Sequence, residues 1–159
     1  MCAHVCLKEL VEAHSEPLAK LFADNNIPRV TQFFDPFPLD AAEAHRLTHE
    51  RTADLYLGVW MADVLVGLTM VRGWEDRHQH RAIGVLIDRN HHGQGIGRIA
   101  TKMTLDHLRK RRERLLRARV HESNDSSIRM LTANGFLVIG RAEGRLLLEC
   151  DLGDAGPDQ

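Results

Sequence analysis

The sequence predicts one α/β domain, and three stretches of the chain carry that prediction. Residues 55–71 hold two short apolar runs around Met61-Ala62-Asp63, which is the pattern of a β-hairpin. Residues 81–98 have the pattern of a strand, a glycine-rich loop and the start of a helix. Residues 136–148 contain two further apolar runs that indicate a closing hairpin. Strands and helices in this order form a sheet with helices packed against it.

The first third of the chain is predicted to supply one strand and two helices. Residues 5–7 are apolar and form the expected first strand, and residues 15–25 repeat apolar side chains at helical spacing. Between residues 27 and 40 three prolines interrupt an aromatic stretch, which favours a loop. Asp40 is the expected N-cap of a second helix that runs to about residue 51.

The remaining elements follow from the same patterns. A polar loop over residues 73–79 leads into the central strand at 81–87. After the glycines we expect a helix over 96–111, a strand over 115–121, a short helix over 126–133, and closing strands at 136–139 and 146–148.

Length and charge limit the class of protein. A chain of 159 residues is predicted to form a single domain over residues 1–152, followed by a loose tail at 153–159. A net charge of −1 argues against nucleic-acid or membrane partners. The three cysteines lack C-x-x-C spacing, which argues against a zinc knuckle. No apolar signal segment is found, so a cytoplasmic location is expected.

The glycine-rich loop indicates an anionic ligand. Gly93, Gly95 and Gly97 leave backbone N–H groups bare of side chains at the start of a helix, where a diphosphate can approach closely. The spacing differs from the Gly-x-Gly-x-x-Gly of dinucleotide-binding folds, and no Gly-Lys-Ser/Thr ending of a nucleotide-triphosphate loop is present.

The stretch His92-Gly93-Gln94-Gly95-Ile96-Gly97 resembles the acyl-CoA loop of the GNAT superfamily of N-acyltransferases, whose pattern is Arg/Gln-x-x-Gly-x-Gly/Ala after a strand. Histidine here occupies the leading Arg/Gln position. Two further matches follow in sequence, namely Asn124 with Asn134-Gly135-Phe136 about eleven residues later, and the hairpin before the central strand. The resemblance covers roughly residues 4 to 151.

This resemblance implies a fold, a reaction and a set of cofactor-binding residues. The fold is a mixed, mostly antiparallel central sheet flanked by helices, with strands 4 and 5 splayed apart. The reaction is direct transfer of acetyl from acetyl-CoA to an amine. The residues expected to contact pantetheine are Val85, Leu86, Ile87 and Asn124, and those expected to contact the diphosphate are His92, Gly93, Gln94, Gly95, Ile96, Gly97 and Arg98.

A base must remove a proton, because an alkyl amine with a reference pKa near 10 is mostly ammonium at neutral pH. GNAT enzymes often place a glutamate on the central strand, but Ile83-Gly84 falls at that position here. The candidate bases are Glu75, His80 and Glu122.

Two further points concern the acid and a possible metal site. The family tyrosine that protonates the leaving thiolate is replaced by Leu131. Since a thiol has a reference pKa near 8.5, thiolate can leave without a strong acid. His78 and His80 lack a carboxylate partner pattern, so no metal site is predicted.

An enclosing, partly apolar wall is expected around the acceptor. Phe34 and Phe37 of the proline-rich loop, with Arg72 and Trp74, are the predicted wall residues. The expected acceptor is the primary amine of a small molecule, with an amino sugar or nucleotide sugar as one class. An acyl-CoA-binding sensor without turnover and a peptide or protein N-terminal acetyltransferase stay open as alternatives, as does a homodimer.

Seven of the eleven residues from 109 to 119 are basic. Cations at the end of a helix offset its negative dipole terminus, which is the favoured interpretation. Contact with RNA or with the ribose phosphate of CoA is the alternative.

Overall fold

The computed structural model describes residues 4–73 and 80–153. Within them the chain forms β1 (Val5–Glu9), α1 (Ser15–Asn25), α2 (Pro28–Thr31), α3 (Ala41–His49), β2 (Leu55–Met61), β3 (Val64–Arg72), β4 (Ala82–Ile87), α4 (Ile96–Lys110), β5 (Leu115–His121), α5 (Asp125–Ala133), β6 (Leu137–Ala142) and β7 (Arg145–Asp151). Short 3-10 turns lie at Glu12–His14 and Arg89–His91.

The strands form one sheet in the order β1-β2-β3-β4-β5-β7-β6. Neighbouring strands are antiparallel, except for the parallel pair β4 and β5. β3 and β4 share six register pairs, whereas β4 and β5 share the single pair Ala82 with Arg117. The prediction of a mixed, mostly antiparallel sheet with strands 4 and 5 splayed apart is confirmed.

Helices cover both faces of the sheet. On one face α1 and α3 pack Leu18, Phe22 and Leu47 against Trp60, Leu68 and Leu86. On the other face α4 and α5 pack Leu105, Leu108 and Leu131 against Leu57, Val71 and Ile83. Successive side chains of a strand point to opposite faces. Leu86 and Ile83, which lie three residues apart in β4, therefore belong to different cores.

Asp40 is the N-cap of α3, as predicted, since its Oδ1 accepts a 2.8 Å hydrogen bond from the Glu43 N–H. The predicted loop is present over residues 32–39, but it is preceded by the short helix α2 at Pro28–Thr31, which was not predicted. Pro28 occupies the first turn, where a helix does not need the missing N–H. The predicted loop over residues 74–79 and all of the predicted tail except Gly153 lie outside the described residues.

None of the helices in the described ranges combines the length and the apolar character needed to cross a bilayer.

Candidate active site

β4 presents two different backbone edges to its neighbours. The Asp88 N–H donates to the Val66 carbonyl at 2.8 Å, and the Arg81 carbonyl accepts from the Arg117 N–H at 2.9 Å. Backbone polar groups alternate sides along a strand. With a register free of shifts, this alternation directs the groups of Ala82, Gly84 and Leu86 to β3, and those of Ile83, Val85 and Ile87 to β5.

Pairing with β5 ends at Ala82, so Val85 and Ile87 lie along the opening between the two strands. Their N–H groups can bind an extended ligand as a neighbouring strand would. The carbonyl of Ile87 is already used, since it lies 2.7 Å from His92 Nε2. A carbonyl only accepts, so His92 Nε2 carries the proton. Leu86, predicted to contact pantetheine, pairs through its backbone with Leu68 of β3 and also lines the opening.

The glycine-rich loop ends β4 and begins α4. Gly93 and Gly95 have φ values of 77° and 76°, which other residues rarely adopt. Gly95 precedes α4 and supplies no side-chain cap. The first N–H groups of this 15-residue helix therefore have no partner within the helix. At Gly97 a Cβ would lie 2.8 Å from Met130 Sδ, so glycine lets α4 approach α5. This uncapped, glycine-rich turn suits a diphosphate.

A buried amide fixes the turn that precedes the loop. Asn25, at the end of α1, is fully buried and donates from Nδ2 to Asp88 Oδ1 at 2.9 Å. Its Oδ1 accepts from the Arg89 N–H at 2.9 Å. Burial raises the pKa of Asp88, but hydrogen bonds from Asn25 and His91 outweigh burial and the pKa is lowered. Asp88 is therefore held as a carboxylate that anchors β4 to α1.

A groove of about 1430 Å³ runs along the opening between β4 and β5 and reaches both faces of the sheet. We call the part next to α4 and α5 the loop side. It is lined by the glycine-rich loop and by polar side chains, namely Arg98, Asn124, Ser126, Ser127 and Arg129. Asn124 also caps α5, because its Oδ1 accepts from the Ser127 N–H at 3.3 Å. Of the predicted loop residues, Gln94 is exposed and does not line the groove.

The other part of the groove, the roof side, lies on the face that carries α1 and α3. Arg117 pairs with Ala82, so Arg117, Arg119 and His121 point to this face. Residues 33–35 form its roof. The ring of Phe33 contacts that of His121, with centroids 5.4 Å apart, and Asp35 forms an ion pair with Arg145. Phe34 packs against the core that includes Leu86 of β4, whereas Phe33 and Asp35 contact β5 and β7, so the roof crosses the opening.

The structure brings together some of the predicted acceptor and catalytic residues. Phe34, Arg72 and His80 line the groove. Phe37 instead packs in the core beside Phe22, with ring centroids 5.8 Å apart, and is not a groove residue.

Glu122 also lies away from the groove. Its Oε2 is 3.3 Å from Arg141 Nε, and its backbone N–H bonds to the Gly144 carbonyl. Its ion pair with β6 argues against Glu122 as the base. Trp74, Glu75 and His78 lie outside the described residues.

Sequence reasoning missed Asp54, a carboxylate in the groove wall. Its Oδ1 accepts from the Gly73 N–H at 2.9 Å, and its Oδ2 lies 3.9 Å from Arg72 Nε. Asp54 immediately precedes the buried strand β2, and this position was the only available signal in the sequence. Arg119 was not assigned to the acceptor wall either, although it lines the groove beside Phe33 of the predicted aromatic loop.

Across residues 4–73 and 80–153, no three His, Cys, Asp or Glu side chains are grouped as metal ligands would be.

Comparisons with known proteins agree on one fold. Residues 4–137 match the family model described as "Acetyltransferase (GNAT) domain". A ribosomal-protein-S5-alanine acetyltransferase from Vibrio fischeri is similar in structure, with TM-score 0.82 and 19% identity over 97% of this chain and 96% of that chain. No sequence among curated proteins matches.

Two further solved structures are similar over most of their length. A ribosomal L7/L12 alpha-N-protein acetyltransferase in complex with coenzyme A has TM-score 0.80 and 19% identity over 92% of this chain and 93% of that chain. A spermidine N-acetyltransferase from Vibrio cholerae, in complex with CoA and spermine, has TM-score 0.72 and 17% identity over 91% and 92%. At these identities the likeness establishes the fold.

Proposed function

The chain belongs to the GNAT acetyltransferase family, since the family model spans residues 4–137, and we propose that it transfers acetyl from acetyl-CoA directly to a primary amine of a small molecule. Membership confirms the resemblance noted in the sequence. Family membership also supports acetyl-CoA as the co-substrate. The amine acceptor and the residues that serve it are the proposed part.

One observation supports this proposal above the others: the free edge of β4 leads directly into the glycine-rich loop. Val85 and Ile87 can hold the pantetheine arm by backbone hydrogen bonds. The uncapped start of α4, with Arg98 beside it, can hold the diphosphate. These two parts are contiguous in sequence, so a donor bound at the loop places its thioester along the opening.

The chemistry balances with one proton moved from nitrogen to sulfur. The neutral amine attacks the thioester carbonyl, and a backbone N–H of Val85 or Ile87 stabilises the oxygen that becomes negative. The C–S bond then breaks, the nitrogen gives up one proton to the base, and the products are an amide and a thiolate. Leu131, at the position of the family tyrosine, is buried and cannot donate a proton. We propose that the thiolate leaves without an acid and takes its proton from water.

His80 is the base that we favour. It is exposed, lines the groove and lies two residues before β4. An imidazole accepts a proton near neutral pH. Asp54, a carboxylate of the groove wall, already accepts from the Gly73 N–H and lies near Arg72.

The roof favours a transferase over a sensor. A sensor needs the loop side to bind acetyl-CoA, but it has no use for a second, enclosed space on the opposite face of the sheet. The structural relatives act on ribosomal proteins and on spermidine, according to their names, so the fold leaves the acceptor open.

Calorimetry with acetyl-CoA and a thiol-release assay with a panel of amines test the proposal. We expect binding and amine-dependent release of CoA thiol, with His80→Gln lowering kcat and leaving the Kd for acetyl-CoA unchanged. His107→Gln, on α4 and away from the groove lining, is the control. Binding without thiol release for any amine would contradict the transferase and favour the sensor.

A further inference from the structure

The roof side of the groove carries more positive than negative charge. Five arginines line it, namely Arg29, Arg72, Arg117, Arg119 and Arg145, against the carboxylates of Asp35 and Asp54. A cationic wall attracts an anionic group and repels a polycation.

Three of the five arginines already have carboxylate partners. Arg145 pairs with Asp35, Arg117 Nε lies 3.1 Å from Glu149 Oε2, and Arg72 Nε lies 3.9 Å from Asp54 Oδ2. These carboxylates offset the positive charges of the three arginines.

Arg29 and Arg119 differ from the other three. Within residues 4–73 and 80–153, neither side chain forms an ion pair or hydrogen bond, and both are exposed to the groove. Arg29 belongs to α2, below the roof, and Arg119 belongs to β5, across the opening from β4. The uncompensated charge therefore lies on two sides of one space.

The direction of Arg119 separates it from the donor. Arg119 alternates with Ala118 and Val120, whose side chains are buried in the core beneath α4 and α5. Arg119 thus points to the face that carries the Phe33–His121 contact, whereas the glycine-rich loop and Arg98 line the other part of the groove.

Uncharged residues form the floor on the same face. A Cβ at Gly84 would lie 2.4 Å from the Met70 methyl carbon, so the Met70 side chain covers Gly84. Met70, Ala82 and Gly84 all line the groove. The floor of the roof side is therefore uncharged, and the charge of this side comes from the arginines around it.

We propose that the acceptor is a primary amine that also carries an anionic group, a carboxylate or a phosphoryl group, which Arg119 and Arg29 bind. This rests on the proposed function and deepens it. Guanidinium groups bind both anions by paired hydrogen bonds. Polyamines, which are cations throughout, are excluded as efficient substrates.

Matched acceptors test the inference, each pair differing in the anion. D-glucosamine 6-phosphate is compared with D-glucosamine, L-methionine with L-methioninamide, and spermidine is the cationic probe. We expect one anionic member to be acetylated with a kcat/KM at least about tenfold above its neutral partner and above spermidine. The two pairs distinguish phosphoryl from carboxylate recognition.

Variants connect that preference to the residue. Arg119→Gln is expected to raise the acceptor KM by about 10- to 100-fold and to leave the Kd for acetyl-CoA unchanged, with Arg119→Lys intermediate. Lys102→Gln, an exposed cation on α4 outside the groove, should match the wild type. Circular dichroism checks that each variant is folded.

Failure of the inference and failure of the proposed function give different results. The inference of an anionic acceptor is overturned if the neutral amines or spermidine are turned over equally well or better. It is also overturned if the preference for the anionic acceptor persists in Arg119→Gln. Neither result contradicts the proposed transferase activity. If no acceptor is acetylated, calorimetry measures the binding of glucosamine 6-phosphate and of methionine to the protein saturated with CoA. Binding that Arg119→Gln abolishes supports the anion site without the reaction, and no binding by either probe overturns the inference.

Discussion

The loop side and the roof side of the groove are built in different ways. The loop side is mainly backbone from one continuous stretch, β4 through the start of α4, and its glycines matter because they lack side chains. The roof side is made by side chains from α2, the roof segment and strands β3, β5 and β7. The comparison teaches that binding of the donor depends on chain geometry, whereas choice of the acceptor depends on individual side chains.

The largest expected effect comes from substituting a glycine of the loop side, where the backbone forms the site. Gly95 and Gly144 both have φ of 76°, and a Cβ at either would meet nothing within 4 Å. Gly95→Trp should weaken acetyl-CoA binding by more than about 100-fold, because a side chain there strains the turn and enters the diphosphate site. Gly144→Trp, in the β6–β7 turn, should carry similar strain and change binding less than about twofold. Calorimetry measures both, and retained binding in Gly95→Trp would contradict the assignment of the loop.

An intermediate effect concerns the anchor of the loop side. Since the pKa of Asp88 is lowered in the folded protein, its carboxylate stabilises the fold above the unfolded pKa of about 3.9, and this contribution is lost as pH falls through the lower folded pKa. Asp88→Asn should lower the free energy of unfolding by about 1–3 kcal/mol at neutral pH. Urea titrations should show the difference from wild type shrinking below about pH 4.

Asp106→Asn is the matched control for this anchor, because Asp106 forms exposed ion pairs with Lys102 and Arg109. It should cost less than about 1 kcal/mol. A difference between wild type and Asp88→Asn that grows as pH falls would disprove the anchor.

The smallest effect belongs to the roof side. Arg145→Gln breaks the partly exposed ion pair with Asp35, so the unfolding free energy should change by less than about 1 kcal/mol. The acceptor KM should rise a few-fold while the Kd for acetyl-CoA stays constant, because the roof adjoins only the acceptor. Adding Asp35→Asn to Arg145→Gln should have little further effect if the pair acts as a unit. Additive changes in KM would show that the two side chains act separately.

The difference between the two sides also explains what the sequence could predict. Gly93, Gly95 and Gly97 lie within five residues, and their spacing reports a backbone requirement, so the loop side was identified from the sequence. The mixed, mostly antiparallel sheet and its splayed pair followed from the family resemblance and were confirmed.

The roof side was only partly predicted, because its members are distant in sequence. Phe33 meets His121 and Asp35 meets Arg145 only after the sheet has formed. Phe37 was misplaced in the wall since aromatic residues in a loop look alike in sequence, whether they line a groove or fill a core. The basic segment was read as one cluster, but the alternation of β5 brings Arg117 and Arg119 to the roof side, away from the α4 terminus.

The single register pair between β4 and β5 has a consequence for how the sheet holds together. Strands β1–β4 form one continuous hydrogen-bonded unit and β5–β7 form another, joined at a seam near Ala82 and Arg117. A donor bound along β4 would complete this seam. The amide protons of Val85 and Ile87 should therefore exchange rapidly with solvent deuterium in the free protein and become protected on binding, which makes these two sites direct reporters of occupancy.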